Sequence, residues 1–293
     1  MTAPAANSSL TPLPGHLYVV ATPIGNLADL TERARAILAA VDLVACEDTR
    51  TTGAMLTRLG LHRELAAYHE HNETERIGEL LEKLLGGARI ALVSDAGTPL
   101  LSDPGFELVR RVAEAGVHIV AVPGPSAITA ALSIAGLPTE RFSFEGFLPA
   151  RLAERRARLA ELAPETRTLV FFEAPHRIAE SLQDMGTAFG AGRRASVARE
   201  LTKVFETVYR GTLGTLAAQA RTDTNFARGE ITVVVAGAEP AEADPGAQLD
   251  STLKVLLAEL APSKAAALAA RLTGAKRNDA YARALELAKE NGG

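Results

Sequence analysis

Short apolar runs alternate with amphipathic stretches through the first half of the chain. Residues 17–21 form an apolar, β-rich run that reads as a buried strand, and Thr22-Pro-Ile-Gly-Asn26 after it is turn chemistry. A helical pattern follows over about 30–40 with Thr31 as its cap, then a short strand over 43–45. Helices are predicted over 51–59, ended by Gly60, and over 73–85, ended by Gly86 and Gly87. A strand over 89–93, a helix over 104–115 opened by Pro104, a strand over 117–122 and a helix over 126–135 complete the series. Strands alternating with helices predict an α/β domain with a mainly parallel sheet.

The pattern restarts after 137–140, which reads as a hinge. Strands are predicted over 141–147, 168–172, 195–198, 206–210 and 231–236, with helices over 152–162 and 177–189. Successive strands with no helix between them imply antiparallel pairs, so this half reads as α+β. Residues 239–250 carry Pro, Ala, Gly and acids, the composition of a linker. Beyond it, Leu253, Leu256, Leu257 and Leu260 share one helical face. Ser263 is placed as the cap of an Ala-rich helix ended by Gly274, and Asp279 as the start of another. The predicted division is an α/β domain over 16–136, an α+β domain over 137–238, a linker over 239–250 and a small helical domain over 251–293.

Composition narrows the function. Of 293 residues 47% are apolar and 23% charged, the balance of a soluble globular protein. Lys+Arg is 31 and Asp+Glu is 35, so the net charge is −4, and any nucleic-acid contact must come from local patches. A single cysteine, Cys46, excludes a disulfide framework, a zinc ribbon and an iron–sulfur cluster, and suits a cytoplasmic location. Residues 1–15 lack the basic start and apolar core of a signal peptide. No apolar run approaches the roughly 18 residues of a membrane helix. With 4% aromatic residues and no tryptophan, an RNA reader built on stacking rings is disfavoured.

Three turns rich in Gly and Pro fall after strands of the first half: Thr22-Pro-Ile-Gly-Asn26, Ser94-Asp-Ala-Gly-Thr-Pro99 with Ser102-Asp-Pro-Gly105 behind it, and Pro123-Gly-Pro-Ser-Ala127. In an open α/β sheet, ligands sit at the carboxyl ends of strands. None of the three is a phosphate cradle, so a ligand with an adenosine-like body and no phosphates fits best. A second, polar set comprises Cys46-Glu-Asp-Thr-Arg50, Phe171-Phe-Glu-Ala-Pro-His-Arg177 and the run from Arg199 to Glu206. These are either surface ion pairs or a catalytic and RNA-backbone wall. Arg151, Arg155 and Arg158 share a helical face with Arg156 beside them, as a solvated face or a phosphate-tracking stripe. His69-x-His71 reads as a pair of polar loop histidines, and no metal site is predicted. Ser126 lacks a nucleophile elbow.

Together these motifs resemble the tetrapyrrole-methylase superfamily of S-adenosylmethionine-dependent methyltransferases, and within it the branch of bacterial small-subunit rRNA cytidine 2′-O-ribose methyltransferases. The carrying residues are Ala21-Thr-Pro-Ile-Gly-Asn-Leu27, Glu47-Asp-Thr-Arg50, Ser94-Asp-Ala-Gly-Thr-Pro99, Val122-Pro-Gly-Pro-Ser-Ala127, Gly146-Phe-Leu-Pro149, Phe172-Glu-Ala-Pro-His-Arg177 and Arg199-Glu-Leu-Thr-Lys203. The resemblance implies two α/β-type domains with the cofactor in the cleft between them, a homodimer, and as substrate the decoding region of small-subunit rRNA or the subunit itself. It places Pro23, Gly25, Asp95, Ala96, Gly97, Ser126 and Ala127 on the cofactor from the first domain, and Phe172, Leu201 and Gly229 from the second. A general base for the ribose hydroxyl is expected among Lys203, Glu47 and Glu173, with burial lowering the pKa of Lys203. Arg50, His176 and Arg177 are expected on phosphates, with Arg151, Arg155 and Arg158. Two other readings remain open: a methyltransferase of the same superfamily acting on a porphyrin-like macrocycle, and a ribosome-assembly factor without catalysis.

Overall fold

Buried aliphatic runs build the first sheet. Strands β1 (His16–Val20), β2 (Leu43–Cys46), β3 (Glu64–Ala67), β4 (Ile90–Val93) and β5 (His118–Val122) lie in the order β3-β2-β4-β1-β5, with parallel pairing throughout. β2 and β4 are buried along their whole length, as strands covered on both faces must be. Helices α1 (Glu32–Ala40) and α2 (Thr49–Arg58) cover one face through Ile37, Leu38 and Leu56. Helices α3 (Glu73–Leu85) and α4 (Phe106–Glu114) cover the other through Leu80, Leu84 and Leu108. Thr31 caps α1 as expected, its hydroxyl accepting from the Ala34 N–H. The structure described is a computed structural model covering residues 10–69, 73–239 and 245–290.

Two features depart from the sequence reading. β3 was not predicted: Glu64-Leu-Ala-Ala67 has no β-branched residue and forms a half-buried edge strand. α4 starts after Gly105, whose φ of +129° suits glycine, rather than at Pro104. His71 lies outside the described residues.

The second sheet holds β6 (Phe142–Phe147), β7 (Thr168–Glu173), β8 (Arg194–Arg199), β9 (Thr207–Thr212) and β10 (Ile231–Val235), in the order β6-β7-β10-β8-β9. β6 and β7 are parallel, and the other pairs antiparallel. α6 (Leu152–Leu162), α7 (Ile178–Phe189) and α8 (Leu213–Thr222) back it through Leu159, Leu182 and Leu216. α8 corrects the expectation that no helix separates the later strands. Its cap pairs Thr212 with Thr215, so the usual acidic residue at the third position is missing. α5 (Ala127–Ala135) joins the sheets: Ile128, Ala131 and Leu132 pack with Ala198 of β8, Val170 of β7 and Val234 of β10.

The described residues fall into two compact units, one up to residue 237 and one from 238 onward. The second contains α9 (Pro245–Leu257), α10 (Pro262–Thr273) and α11 (Arg277–Glu290), cored by Leu249, Leu253, Ala269, Ala284 and Leu287. Three expectations change here. α9 begins inside the stretch read as linker. α10 is capped at Ala261 with Pro262 at its first position, not at Ser263, and α11 starts at Arg277 rather than Asp279. No helix among the described residues is long and apolar enough to cross a membrane.

Candidate cofactor and catalytic site

In the order β3-β2-β4-β1-β5, the crossover from β1 leads to β2 on one side and that from β4 to β5 on the other. The strand order therefore switches between β1 and β4, where α/β sheets open a ligand crevice. The loops there are locked together. Thr22 and Gly97 bridge, Thr22 N donating to Gly97 O at 2.8 Å and Gly97 N to Thr22 O at 3.1 Å. The Thr22 hydroxyl donates to Ser94 O at 3.1 Å, and that of Thr98 donates to Pro125 O at 3.1 Å. All three predicted turns thus meet at one edge. Gly97 has φ +84°, and a Cβ there would press on Ile24 Cγ2 at 3.2 Å.

Over this edge lies a cavity of about 410 Å³, bounded by both sheets' loops. That is within the roughly 300–1,000 Å³ of small-molecule sites. Ala96, Gly97, Ser126, Ala127, Phe172, Leu201 and Gly229 line it, while Pro23, Gly25 and Asp95 do not. From the first loop it is Ile24 that reaches the cavity. Gly25 faces the Lys203 side chain instead, which a Cβ would strike. Asp95 Oδ1 accepts from the Asp48 N–H at 3.2 Å, and burial raises its pKa. Leu101, Asp103, Phe147 and Glu230 also line the cavity. Sequence reasoning missed these four. The Ser102-Asp-Pro-Gly105 turn held the only signal for Asp103, and Phe147 lies in the Gly146-Phe-Leu-Pro149 motif. Leu100 and Ser102 hold left-handed φ values of 74° and 71°, a strained stretch beside the cavity.

The polar groups sort by partner. Asp103 lines the cavity, and burial raises its pKa against a hydrogen bond from Ser94. Glu173 is buried, accepting from the Ser181 hydroxyl at 2.5 Å and the Ala174 N–H at 2.8 Å. Lys203 departs from expectation. Burial pulls its pKa down, but the Glu200 and Glu230 carboxylates outweigh burial and the net shift is upward. An ammonium held in this way is a poor general base at neutral pH. Glu47 is half-buried after β2, and Arg50 is exposed with Asp48 at 2.7 Å. His176 is exposed ahead of α7. Arg177 turns inward, its Nη2 donating to the carbonyls of Leu148 and Pro149 at 2.8 and 3.0 Å, which removes it from the surface set.

The arginine stripe on α6 also dissolves. Arg155 is buried, with Nε 2.7 Å from Asp184 Oδ2, so it cannot track phosphates. Arg158 pairs with Glu145 and Glu161 at 2.7 and 2.8 Å. Arg151 and Arg156 stay exposed, Arg151 against Glu154 at 3.1 Å and Arg156 against Asp184 at 3.0 Å.

Residues 16–217 match the family model for tetrapyrrole (corrin/porphyrin) methylases. The chain belongs to the tetrapyrrole methylase family. Residues 243–288 match a second model, the RsmI C-terminal HTH domain. Curated relatives are similar over nearly their full length. The ribosomal RNA small subunit methyltransferase I of Xylella fastidiosa (strain Temecula1) is 52% identical over 268 residues, covering 92% of this chain and 98% of the relative. Those of Pseudomonas aeruginosa and Escherichia coli O157:H7 are 52% and 50% identical, covering 93% of this chain and 97% and 95% of theirs. Among solved structures, the methyltransferase CobJ superposes with a TM-score of 0.57 at 23% identity, over 76% of this chain and 95% of that one. A uroporphyrin-III-C-methyltransferase from Thermus thermophilus gives 0.55 at 19%, over 76% and 94%. These two likenesses establish the fold.

The cavity of this tetrapyrrole methylase fits the family's S-adenosylmethionine. Phe172 meets Phe144 and Phe147 edge-on at 4.8 and 5.7 Å, and with Ile24, Leu101 and Leu201 it makes an apolar wall for a nucleoside. Its ionisable lining is Asp103, Glu173 and Glu230, with no Lys, Arg or His among the described residues. Arg177 stands 3.5 Å from Glu173 and Lys203 3.4 Å from Glu230 behind this wall, and the lining itself, being acidic, suits a cationic ligand better than a phosphate.

Proposed function

We propose that this protein transfers a methyl group from S-adenosylmethionine to the 2′-oxygen of a cytidine ribose in the decoding region of small-subunit rRNA, as a cytoplasmic homodimer. The observation that carries the reading is the acid-lined cavity at the switch point, in a chain about half identical to enzymes named ribosomal RNA small subunit methyltransferase I. The same lining disfavours a macrocycle bearing carboxylates in this cavity. The hydrogen-bonded loops that build a cofactor cavity around Gly97 disfavour a factor without catalysis.

When bound, the cofactor supplies an electrophilic methyl group on a positively charged sulfur. The chain's part is to hold and orient. Ile24, Leu101, Phe147, Phe172 and Leu201 exclude water, and Glu173 and Glu230 supply the negative side of the cavity. The hydroxyl proton needs an acceptor. Lys203 is charged, and Glu173 is occupied by Ser181 and the Ala174 N–H. We assign the acceptor to Asp103, whose burial raises its basicity. RNA phosphates are held outside the cavity, by the exposed Arg50, His176, Arg151 and Arg156 and by Lys276 and Arg277 of the helical unit. Val204 and Phe205, exposed at the β8–β9 turn, support a dimer.

The test is methyl transfer from labelled cofactor to small-subunit particles from a strain lacking this chain. One labelled cytidine ribose in the decoding region is expected. Label on a base, or none, overturns the reading.

A further inference from the structure

Two glycines that the family resemblance gave to the cofactor are filled by the protein itself. A methyl group at Gly25, after β1, would collide with the Cγ, Cδ and Cε of Lys203. One at Gly229, before β10, would collide with the Glu200 carboxylate. Lys203 and Glu200 belong to the same turn after β8, and they meet: Lys203 Nζ lies 2.8 Å from Glu200 Oε1 and 3.4 Å from Glu230 Oε2. Glu200 Oε1 also accepts from the Glu230 N–H at 2.9 Å, and the Glu200 N–H donates to Glu230 O at 2.9 Å.

The turn is strained to achieve this. Glu200 and Thr202 hold left-handed φ values of 54° and 65°, unfavourable for residues with a Cβ. Such conformations persist where surrounding contacts over-determine them. Here the contacts run to both halves of the unit. Lys203 lies along the loop that delivers Ile24 to the cavity, and Glu200 grips the segment that delivers Gly229 and Glu230. Leu201, between them, lines the cavity and packs with Ile24 and Ile128.

We propose that Lys203 is a positioning residue: with Glu200 it clasps the loop after β1 to the start of β10 and so fixes the spacing of the cavity walls that grip S-adenosylmethionine. The proposal rests on the cofactor named above, though not on the RNA substrate. Two parts of the side chain act separately. The methylene stem fills the groove over Gly25, and the ammonium ties that stem to two carboxylates. Loosening the clasp therefore weakens cofactor binding and leaves the chemistry of the bound complex largely intact.

The experiment measures S-adenosylmethionine affinity by calorimetry without RNA, and turnover on small-subunit particles at saturating cofactor. Lys203→Ala, which removes stem and charge, is expected to weaken affinity by about tenfold or more while turnover falls by no more than about threefold. Lys203→Met keeps the stem and is expected to fall between wild type and Lys203→Ala. Glu200→Gln is expected to weaken affinity too, and the double variant Lys203→Ala with Glu200→Gln to be no weaker than the worse single one, as for residues acting as a unit. The pH–rate profile keeps its shape in each. Thermal melts confirm which variants fold, and Lys203→Met serves if Lys203→Ala does not. Unchanged affinity with turnover down by about a hundredfold or more would make Lys203 a catalytic residue and overturn the clasp. Additive losses in the double variant would also overturn it. If wild type binds cofactor but methylates no rRNA, the functional reading fails while the affinity measurements still decide the clasp.

Discussion

Arg155 Nε donates to Asp184 Oδ2 over 2.7 Å, with both side chains withdrawn from solvent, so α6 and α7 are joined by an ion pair inside the second half of the unit. Arg156 reaches the other oxygen of the same carboxylate at 3.0 Å. Removing one partner of a buried pair leaves an uncompensated charge, which costs about 3–5 kcal/mol. Asp184→Ala is expected near the lower end of that range, because Glu180 remains 3.4 Å from Arg155. Urea unfolding checks it, with cofactor affinity of the folded protein unchanged.

The same pair shows what the sequence could and could not tell. Spacing put Arg151, Arg155 and Arg158 on one face of α6, but spacing cannot say what covers a face. Asp184 is 29 residues away, and only the packing of α7 on α6 turns part of that face inward. The first sheet was legible because its strands are apolar and its turns rich in Gly and Pro. β3 was not, because an edge strand of alanines carries little pattern. The loops of the cavity were legible as turns, and Gly97 lies on the cavity wall as its loop implied. The neighbours of Gly25 and Gly229 were not legible, because a glycine that admits a ligand and one that admits a lysine or glutamate look the same in sequence. Asp103 escaped because its meaning depends on burial.

Strand register in the first sheet has an electrostatic part. Asp42 precedes β2 and Arg89 precedes β4. The Asp42 carboxylate accepts from Arg89 Nε at 2.9 Å and from its backbone N–H at 2.8 Å. These hydrogen bonds, the guanidinium's foremost, hold the Asp42 pKa at about 2. A carboxyl depressed in the folded state adds stability that is full above its unfolded pKa, near 3.9, and is lost as pH falls toward 2. Because the pair is partly exposed, the effect is about 1 kcal/mol or less. Asp42→Asn is expected to lower stability at pH 6 and to approach wild type near pH 2, where the carboxyl is about half protonated. Denaturant midpoints at the two pH values measure this, and an equal loss at both would assign the effect to packing.

Gly97 makes the cofactor prediction sharp. Its φ of +84° strains a β-branched side chain, and a Cβ there would press on Ile24. Gly97→Val is expected to abolish S-adenosylmethionine binding in calorimetry. Unchanged affinity in a folded variant would remove this loop from the cofactor site.

For RNA, the expectation moves from four arginines on α6 to Arg151 and Arg156, since Arg155 is buried and the exposed Arg158 is held by two carboxylates. Neutralising Arg151 and Arg156 together is expected to lower the slope of log affinity against log salt by about 0.7–0.9 for each phosphate they neutralise in the wild type. Neutralising the exposed Lys276 and Arg277 of the helical unit should do the same. Arg158, committed to Glu145 and Glu161, is expected to leave the slope unchanged. Filter binding to small-subunit rRNA at several salt concentrations reads all three. A slope that falls with Arg158 and not with Arg156 would restore the stripe in another register.

The last prediction concerns the proton. A ribose 2′-oxygen is a poor nucleophile until its proton is shared or removed, and a placed base contributes about 10²–10⁴ in rate. DNA lacks that oxygen, so a particle whose target cytidine carries 2′-deoxyribose is expected to accept no methyl group. Asp103 must be ionised to act. Because burial raises its pKa, the rate is expected to climb with pH and level off later than an ordinary aspartate would allow. Asp103→Asn keeps the side chain's size and removes the base. It is expected to lose about two orders of magnitude or more in kcat and the acidic limb of the profile, while binding S-adenosylmethionine within about threefold of wild type. Lost cofactor affinity with a retained limb would instead make Asp103 a cofactor ligand and pass the role of base to Glu47, half-buried after β2.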